Sequence, residues 1–254
     1  LVFWTTRRAH EPVGGPANVS SPVPETAEPS SAAASPSKHS SMRKTLEVGR
    51  GLLRKKAWWA LVSMYAVCGF QDFLVATHIV ALALDEGVSG FVAGNMLAFM
   101  GLAGLVGVIA TGVLNDRYGP NLPTAGCFVL RCLLFGALLL SRDHSVIVLV
   151  ALGYGFTFWI TAPLTVIYAR ALAGLAVLGA VTGTITMIHH ASGGLGALVG
   201  AWVFDRSGHY DDAIVWLLAT SALALALTPW FPRPREEVDG PGAVSYTHLT
   251  LPTM

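Results

Sequence analysis

The chain has 254 residues, a formal net charge of +1, 53% hydrophobic residues and only 12% charged ones. So small a charged fraction, against the usual quarter or roughly so, cannot cover a water-soluble globule. With the cations concentrated in one short segment and no basic face with interleaved aromatics, the sequence argues against a nucleic-acid partner.

Apolar residues cluster in stretches of roughly 20 between short polar punctuation, the length needed to cross about 30 Å of hydrocarbon. The opening Leu1-Val-Phe-Trp, followed by Thr5, Thr6, Arg7 and Arg8, reads either as the last turn of an earlier membrane helix or as a spurious start. Residues 9–41 are rich in Pro, Ser, Ala, Glu and Val, with too little apolar surface to offset the entropy of ordering them, and predict a disordered loop. Arg43, Lys44, Arg50, Arg54, Lys55 and Lys56 then stand directly before the first strongly apolar run, which places this segment in the cytoplasm by the positive-inside rule. Trp58 and Trp59 follow, where amphipathic rings anchor a helix at the headgroups.

Six spans are predicted, at 57–84, 92–114, 124–140, 146–169, 180–204 and 213–231. The intervening turns hold Arg117 and Arg170 on the side of the basic segment and Arg142 and Arg206 on the other, with Asp85, Glu86, Asp211 and Asp212 outside. Both ends of the apolar region thus fall in the cytoplasm. The last stretch, 244–254, breaks from what precedes it and reads as translated adapter or vector sequence. The expected organisation is a disordered Pro/Ser-rich cytoplasmic loop with a basic juxtamembrane end at 1–56, a six-helix transmembrane bundle at 57–232, and a cytoplasmic tail at 233–254. Cys68, Cys127 and Cys132 all fall inside apolar stretches and read as small packing residues.

Helices in lipid associate by close van der Waals approach, which favours small residues. Gly101, Gly104, Gly107 and Thr111 on the second span, and Ser192, Gly196 and Gly200 on the fifth, recur at spacings of three and four and mark such contact faces.

A charge at the centre of a membrane helix costs about 2.5 to 3.5 kcal/mol, several times what one leucine returns. Asp72 and His78 in the first span, Arg131 in the third, and His189 with His190 in the fifth are therefore expected to face a protein interior or a water-filled path. On a 3.6-residue helix Gln71 and His78 lie almost on one face and Asp72 shares its face with Tyr65. Thr186 precedes His189 by three residues and His190 by four, forming a hydroxyl-imidazole face, and the two adjacent histidines are not expected to point the same way. Such groups bind an anionic solute or relay a proton. The alternative is that each is satisfied by a neighbouring helix, or, for Arg131, by snorkelling. The His189-His190 pair lacks the further ligands a metal needs, and no Ser/His/Asp, Cys/His or phosphate-loop arrangement is visible. No enzyme, cofactor or metal is expected.

Three stretches resemble the major facilitator superfamily. Gly112-Val-Leu-Asn-Asp-Arg-Tyr-Gly119 resembles the Gly-x-Leu-x-Asp-Arg-x-Gly signature of its cytoplasmic loops. The resemblance implies a conformational-gating role for Gly112, Asp116, Arg117 and Gly119, with Asp116 making charge and helix-dipole contacts and Arg117 as its partner. The copy departs from the pattern at Pro120 and Asn121, where basic residues are usual. Residues 196–212 resemble the eleventh helix and outer turn of bacterial carriers similar to monocarboxylate transporters, and residues 68–78, with Thr77-His78, resemble their seventh helix. The resemblance implies an all-α membrane protein whose six transmembrane helices form the carboxy-terminal half of a twelve-helix fold. Its implied partners are the lipid bilayer, an amino-terminal six-helix half, and a small-molecule substrate with or without a coupled proton. The implied function is secondary transport of a small organic anion or related metabolite across the inner membrane by alternating access, along a path lined by the first, second, fourth and fifth spans. Animal monocarboxylate carriers keep an acid and an arginine in the eighth helix, whereas residues 92–114 have neither, so lactate-type proton symport is not carried over. The competing reading is a self-contained six-span channel or scaffold acting as a homo-oligomer.

Overall fold

A run of apolar residues in a medium without water must satisfy its backbone internally, and a helix is the local solution. The computed structural model describes residues 47–232, so the Pro/Ser-rich segment, Arg43, Lys44 and the tail from 233 lie outside the described residues. The chain forms α1 (Lys56–Asp85), α2 (Gly90–Tyr118), α3 (Asn121–Leu140), α4 (His144–Phe158), α5 (Thr161–Ala173), α6 (Leu178–Ser207) and α7 (Asp211–Leu227), with single 3-10 turns at Leu175–Val177 and Thr228–Trp230. Among the described residues there is no strand. Six segments are long and apolar enough to cross a membrane, α4 and α5 together making the fourth, His144–Ala173. The protein is an all-α, multi-pass membrane protein.

The ends differ from expectation in instructive places. The Asn115–Tyr118 segment, expected as loop, is the last turn of α2: nothing in Asn, Asp, Arg or Tyr forbids a helix, and it stops only at Gly119, whose φ of 76° suits glycine. Arg117 in that turn complements the helix C-terminal dipole. The paired tryptophans split: Trp58 is buried whereas Trp59 is 53% exposed and donates its indole N–H to the Leu53 carbonyl at 2.9 Å. Neighbours 100° apart on a helix cannot both face the headgroups. The fourth span is broken at its centre. Pro163 has no N–H to give the Trp159 carbonyl and its ring crowds that turn, so α4 ends at Phe158 and α5 begins at Thr161.

Contacts are densest between α1 and α6, then α2 and α4, then α3 and α7. Glycine allows the first two to come so close. A side chain at Gly196 would run into the Phe70 backbone, one at Gly69 into the His189 carbonyl, one at Gly200 into the His78 ring, and one at Gly107 into the Phe156 carbonyl. Ser192 reinforces the first seam by donating its hydroxyl to the Ala66 carbonyl at 2.7 Å, and Thr111 bonds back to the Gly107 carbonyl at 2.8 Å. Gly101 differs from the rest of its predicted stripe, because it stands exposed with no neighbour within 4 Å of a built Cβ. The outer surface is apolar, with Leu140 at 90% and Phe91 at 78% exposure, a surface suited to lipid.

One end of the bundle is tied by ion pairs and the other by hydrogen bonds. Arg142 pairs with Asp211, His209 Nδ1 lies 3.3 Å from the same carboxylate, and His144 Nε2 bonds the Glu86 carbonyl at 2.9 Å, joining the turns after the first, third and fifth spans. At the other end the Tyr168 hydroxyl meets the Thr124 hydroxyl at 2.9 Å and donates to Asn121 Oδ1 at 3.0 Å. All three cysteines are free, with Cys68 and Cys127 buried.

Replacing Gly196 by Val should lower the unfolding free energy by about 1 to 3 kcal/mol through overpacking, whereas Gly101→Val should be nearly neutral; thermal unfolding in detergent reads both. Single cysteines at Ser89 and Tyr118, in a background lacking Cys68, Cys127 and Cys132, should label from opposite sides of the membrane, and labelling from one side would overturn the span order.

Candidate functional site

The residues that cost most to bury are brought together at mid-membrane. Arg131 on α3 is fully buried and Asp72 on α1 nearly so, with Arg131 Nη2 3.1 Å from Asp72 Oδ1. The guanidinium spends its other donors inside the protein: Nε on the Thr157 hydroxyl at 3.0 Å, Nη1 on Gln71 Oε1 at 2.9 Å, and Nη2 also on the Thr157 carbonyl at 3.3 Å. Its plane lies over the Tyr154 ring, 4.5 Å from the centroid, and the Tyr154 hydroxyl donates to the same Asp72 oxygen at 2.6 Å. A buried ion pair offsets its desolvation only when further donors and acceptors are met, and here α1 and α4 supply partners for the guanidinium and for Asp72 Oδ1. The Thr157 carbonyl lies in the final turn of α4 before the break, where it also accepts the Ile160 N–H at 3.3 Å.

Gln71 extends the network to α7. Arginine can only donate, so Oε1 is the atom facing it and the amide nitrogen points away. Nε2 then lies 2.9 Å from the hydroxyls of both Thr220 and Ser221 and 3.1 Å from the Leu217 carbonyl, three acceptors for two hydrogens.

Asp72 has a second side. Its Oδ2 faces His189 Nε2 on α6 at 3.5 Å, and both residues border a cavity of about 430 Å³ between α1, α4, α5 and α6, within the range of small-molecule sites. Phe158, Trp159, Thr161 and Ala162 line it from either side of the helix break. Tyr65 packs its ring 4.7 Å from that of His189, whose Nδ1 is buried without a hydrogen-bond partner. His190 also borders the cavity, its ring 5.3 Å from that of His189, and its Nδ1 bonds the Thr186 carbonyl at 2.9 Å. The two rings stand 64° apart in plane and take different partners, as adjacent positions on a helix imply. Their side chains start 100° apart, but the cavity is wide enough to meet both.

Of the expected site residues, the structure unites Gln71, Asp72 and Arg131 in the buried network and Asp72, Thr186, His189 and His190 around the cavity. It sends His78 elsewhere. The Ala197 carbonyl, 3.0 Å from His78 Nε2, can only accept, so that nitrogen carries the hydrogen and Nδ1 takes the Tyr210 hydroxyl at 3.3 Å. Burial pushes the Tyr210 phenol up, with Asp85 and Asp205 adding to it, so it stays a donor. The second span likewise leaves this cavity and borders another, of about 330 Å³, with α3 and the fourth span. In the signature stretch, Asp116 accepts from Asn115 at 3.3 Å and Arg117 lies over the Tyr118 ring, so the implied Asp116–Arg117 partnership is not formed. Gly112 has no neighbour within 4 Å of a built Cβ. Sequence reasoning missed Tyr154 and Thr157. Their spacing of three on the fourth span, just before Pro163, was the available signal.

Arg131→Met should cost about 3 kcal/mol or more by stranding the Asp72 charge, and Asp72→Asn combined with Arg131→Met should recover at least half of the loss. A double-mutant cycle on detergent unfolding reads the coupling; additive losses would refute the pair.

A family profile described as "Uncharacterised MFS-type transporter YbfB", MFS denoting the major facilitator superfamily, matches residues 30–229. Monocarboxylate transporter 13 of Rattus norvegicus is 29% identical over 167 residues, and that of Bos taurus 28% over 167 residues. Each match covers 63% of this chain and 39% of the relative, so the chain spans well under half the length of these curated relatives. With the profile covering most of the chain, and six segments long and apolar enough to cross a membrane, the chain belongs to the major facilitator superfamily of membrane transporters and is not an enzyme.

Proposed function

We propose that the chain is the carboxy-terminal, six-span half of a secondary transporter similar to bacterial monocarboxylate carriers, moving a small organic anion or related metabolite by alternating access. The observation that carries this reading is the cavity at the broken fourth span, bordered by Asp72 with Arg131 held behind it. Interrupted helices at membrane depth are tolerated where they line a binding cavity, and ionised residues there mark solute or ion paths. The name of the relatives makes carboxylate-bearing metabolites the first class to test.

An amino-terminal half fits the uncovered faces. The second and fifth spans are the least buried of the six, and Gly101, Gly112, Gly183 and Gly194 stand on them with no neighbour within 4 Å of a built Cβ. Glycine facing lipid gains nothing, whereas glycine facing a helix permits close approach. A homo-oligomeric channel or scaffold would use the same faces; sequence encoding six further apolar spans upstream favours the carrier. In this reading the Pro/Ser-rich segment is the cytoplasmic loop joining the halves, the basic segment and the carboxy-terminal tail are cytoplasmic, and the membrane is the inner one. Gly112, Asp116, Arg117 and Gly119 form a gate at the cytoplasmic end of α2, with the Asp116–Arg117 contact made in another conformation of the cycle. Gln71 and Arg131 hold the frame, and Asp72, Thr186, His189 and His190 face the solute or a coupled proton; His78 steadies the contact of α1 with α6.

The test is uptake of organic acids into vesicles containing the complete carrier, with and without a pH gradient. Saturable uptake is expected, and its absence across a broad panel would sink the reading. Asp72→Asn should cut uptake about ten-fold or more while leaving membrane insertion unchanged.

A further inference from the structure

An anion site requires a cation on its wall, and among the described residues this cavity offers in that role only the imidazoles of His189 and His190. Among the described residues bordering it there is no lysine or arginine. Arg131, the nearby cation, is fully buried and committed to Asp72, Gln71 and Thr157, so a solute in the cavity cannot reach it without dismantling the network. What the wall offers is an acceptor. Asp72 Oδ1 already takes Arg131 and Tyr154, whereas Oδ2 faces only His189 Nε2 among the described residues, at 3.5 Å, beyond a good hydrogen bond. Four aromatic side chains border the same cavity, Tyr65 and Phe73 from α1, Phe158 at the end of α4 and Trp159 just after it. Aromatic faces with one carboxylate oxygen are the chemistry that receives a planar apolar body carrying an ammonium or hydroxyl donor.

We infer that this half-site takes the aromatic, donor-bearing end of its solute, with Asp72 Oδ2 accepting from an ammonium or hydroxyl, so that any carboxylate on the same molecule is gripped elsewhere in the carrier. The inference rests on the transporter reading above and narrows its substrate to bifunctional aromatic metabolites. Acetate-sized anions, lacking both the ring and the donor, leave the cavity's rings and Oδ2 unmatched.

The test is competition for uptake in proteoliposomes of the complete carrier, using acetate, phenylacetate, 2-phenylethylamine and phenylalanine as probes. The two amines should compete at concentrations about ten-fold lower than phenylacetate, as expected for a hydrogen bond to a charged group, and acetate should compete least. Asp72→Asn with Arg131→Gln, which removes both charges together, should bring the amines level with phenylacetate. Phe73→Leu, which leaves the ion network intact, should lower the preference for phenylacetate over acetate several-fold. Uptake with acetate or phenylacetate ahead of the amines, or with an order unchanged in both variants, overturns the inference while sparing the carrier. Insertion without uptake of any probe or of the wider organic-acid panel overturns both.

Discussion

An ionised pair has no place in hydrocarbon unless most of its donors and acceptors are met, and the bundle is arranged so that Arg131 and one oxygen of Asp72 satisfy this condition. Gln71 on α1 and Thr157 and Tyr154 on α4 supply the partners, while α7 supplies those of Gln71. Four of the six spans are thereby held at fixed height relative to one another, because a one-turn slip of any of them would move a polar partner by about 5.4 Å and strand a charge. Glycine seams set how near the helices come. The polar network sets their register.

In the proposed reading, the same arrangement separates framework from function within a few ångströms. Asp72 serves both through its two oxygens, one tied to Arg131 and Tyr154, the other on the cavity side with His189. The break at Trp159–Ile160 joins the two roles. Just before it the last turn of α4 offers Arg131 a carbonyl acceptor, and Phe158 and Trp159 border the cavity. In the proposed reading, transport accounts for why so costly a constellation sits where a soluble core would have leucines.

Much of this was legible in the residues. The length and spacing of the apolar runs place all six spans to within a few residues, because hydrocarbon thickness is a stronger constraint than local propensity. Insertion cost alone singles out Asp72, His78, Arg131, His189 and His190, since few charges occur in these runs, and all but His78 meet in the network or at the cavity. Pairing is less legible. Helical periodicity puts Gln71 and His78 on nearly one face of α1, yet 10 Å of rise along that helix brings them to different neighbours, α7 for one and α6 with Tyr210 for the other. Which helix stands opposite a given residue depends on the packing order of the bundle, which one chain's periodicity does not encode. Tyr154 and Thr157 escaped notice because uncharged polar residues cost little on insertion scales, so they did not stand out from the run around them. The helix break escaped because Pro163 is compatible with an apolar span of ordinary length.

The order of the partners along the chain bears on how the bundle is made. During synthesis from the amino terminus, Asp72 leaves the ribosome well before Arg131, and Tyr154 and Thr157 emerge later still. The first span therefore has to partition into lipid before its counter-ion exists, on the strength of its own 30-residue length and apolar content. Until the third span arrives, that carboxylate must remain hydrated, protonated or held by another part of the membrane machinery. The nascent first span is thus the stage at which this charge is least provided for by the chain's own residues.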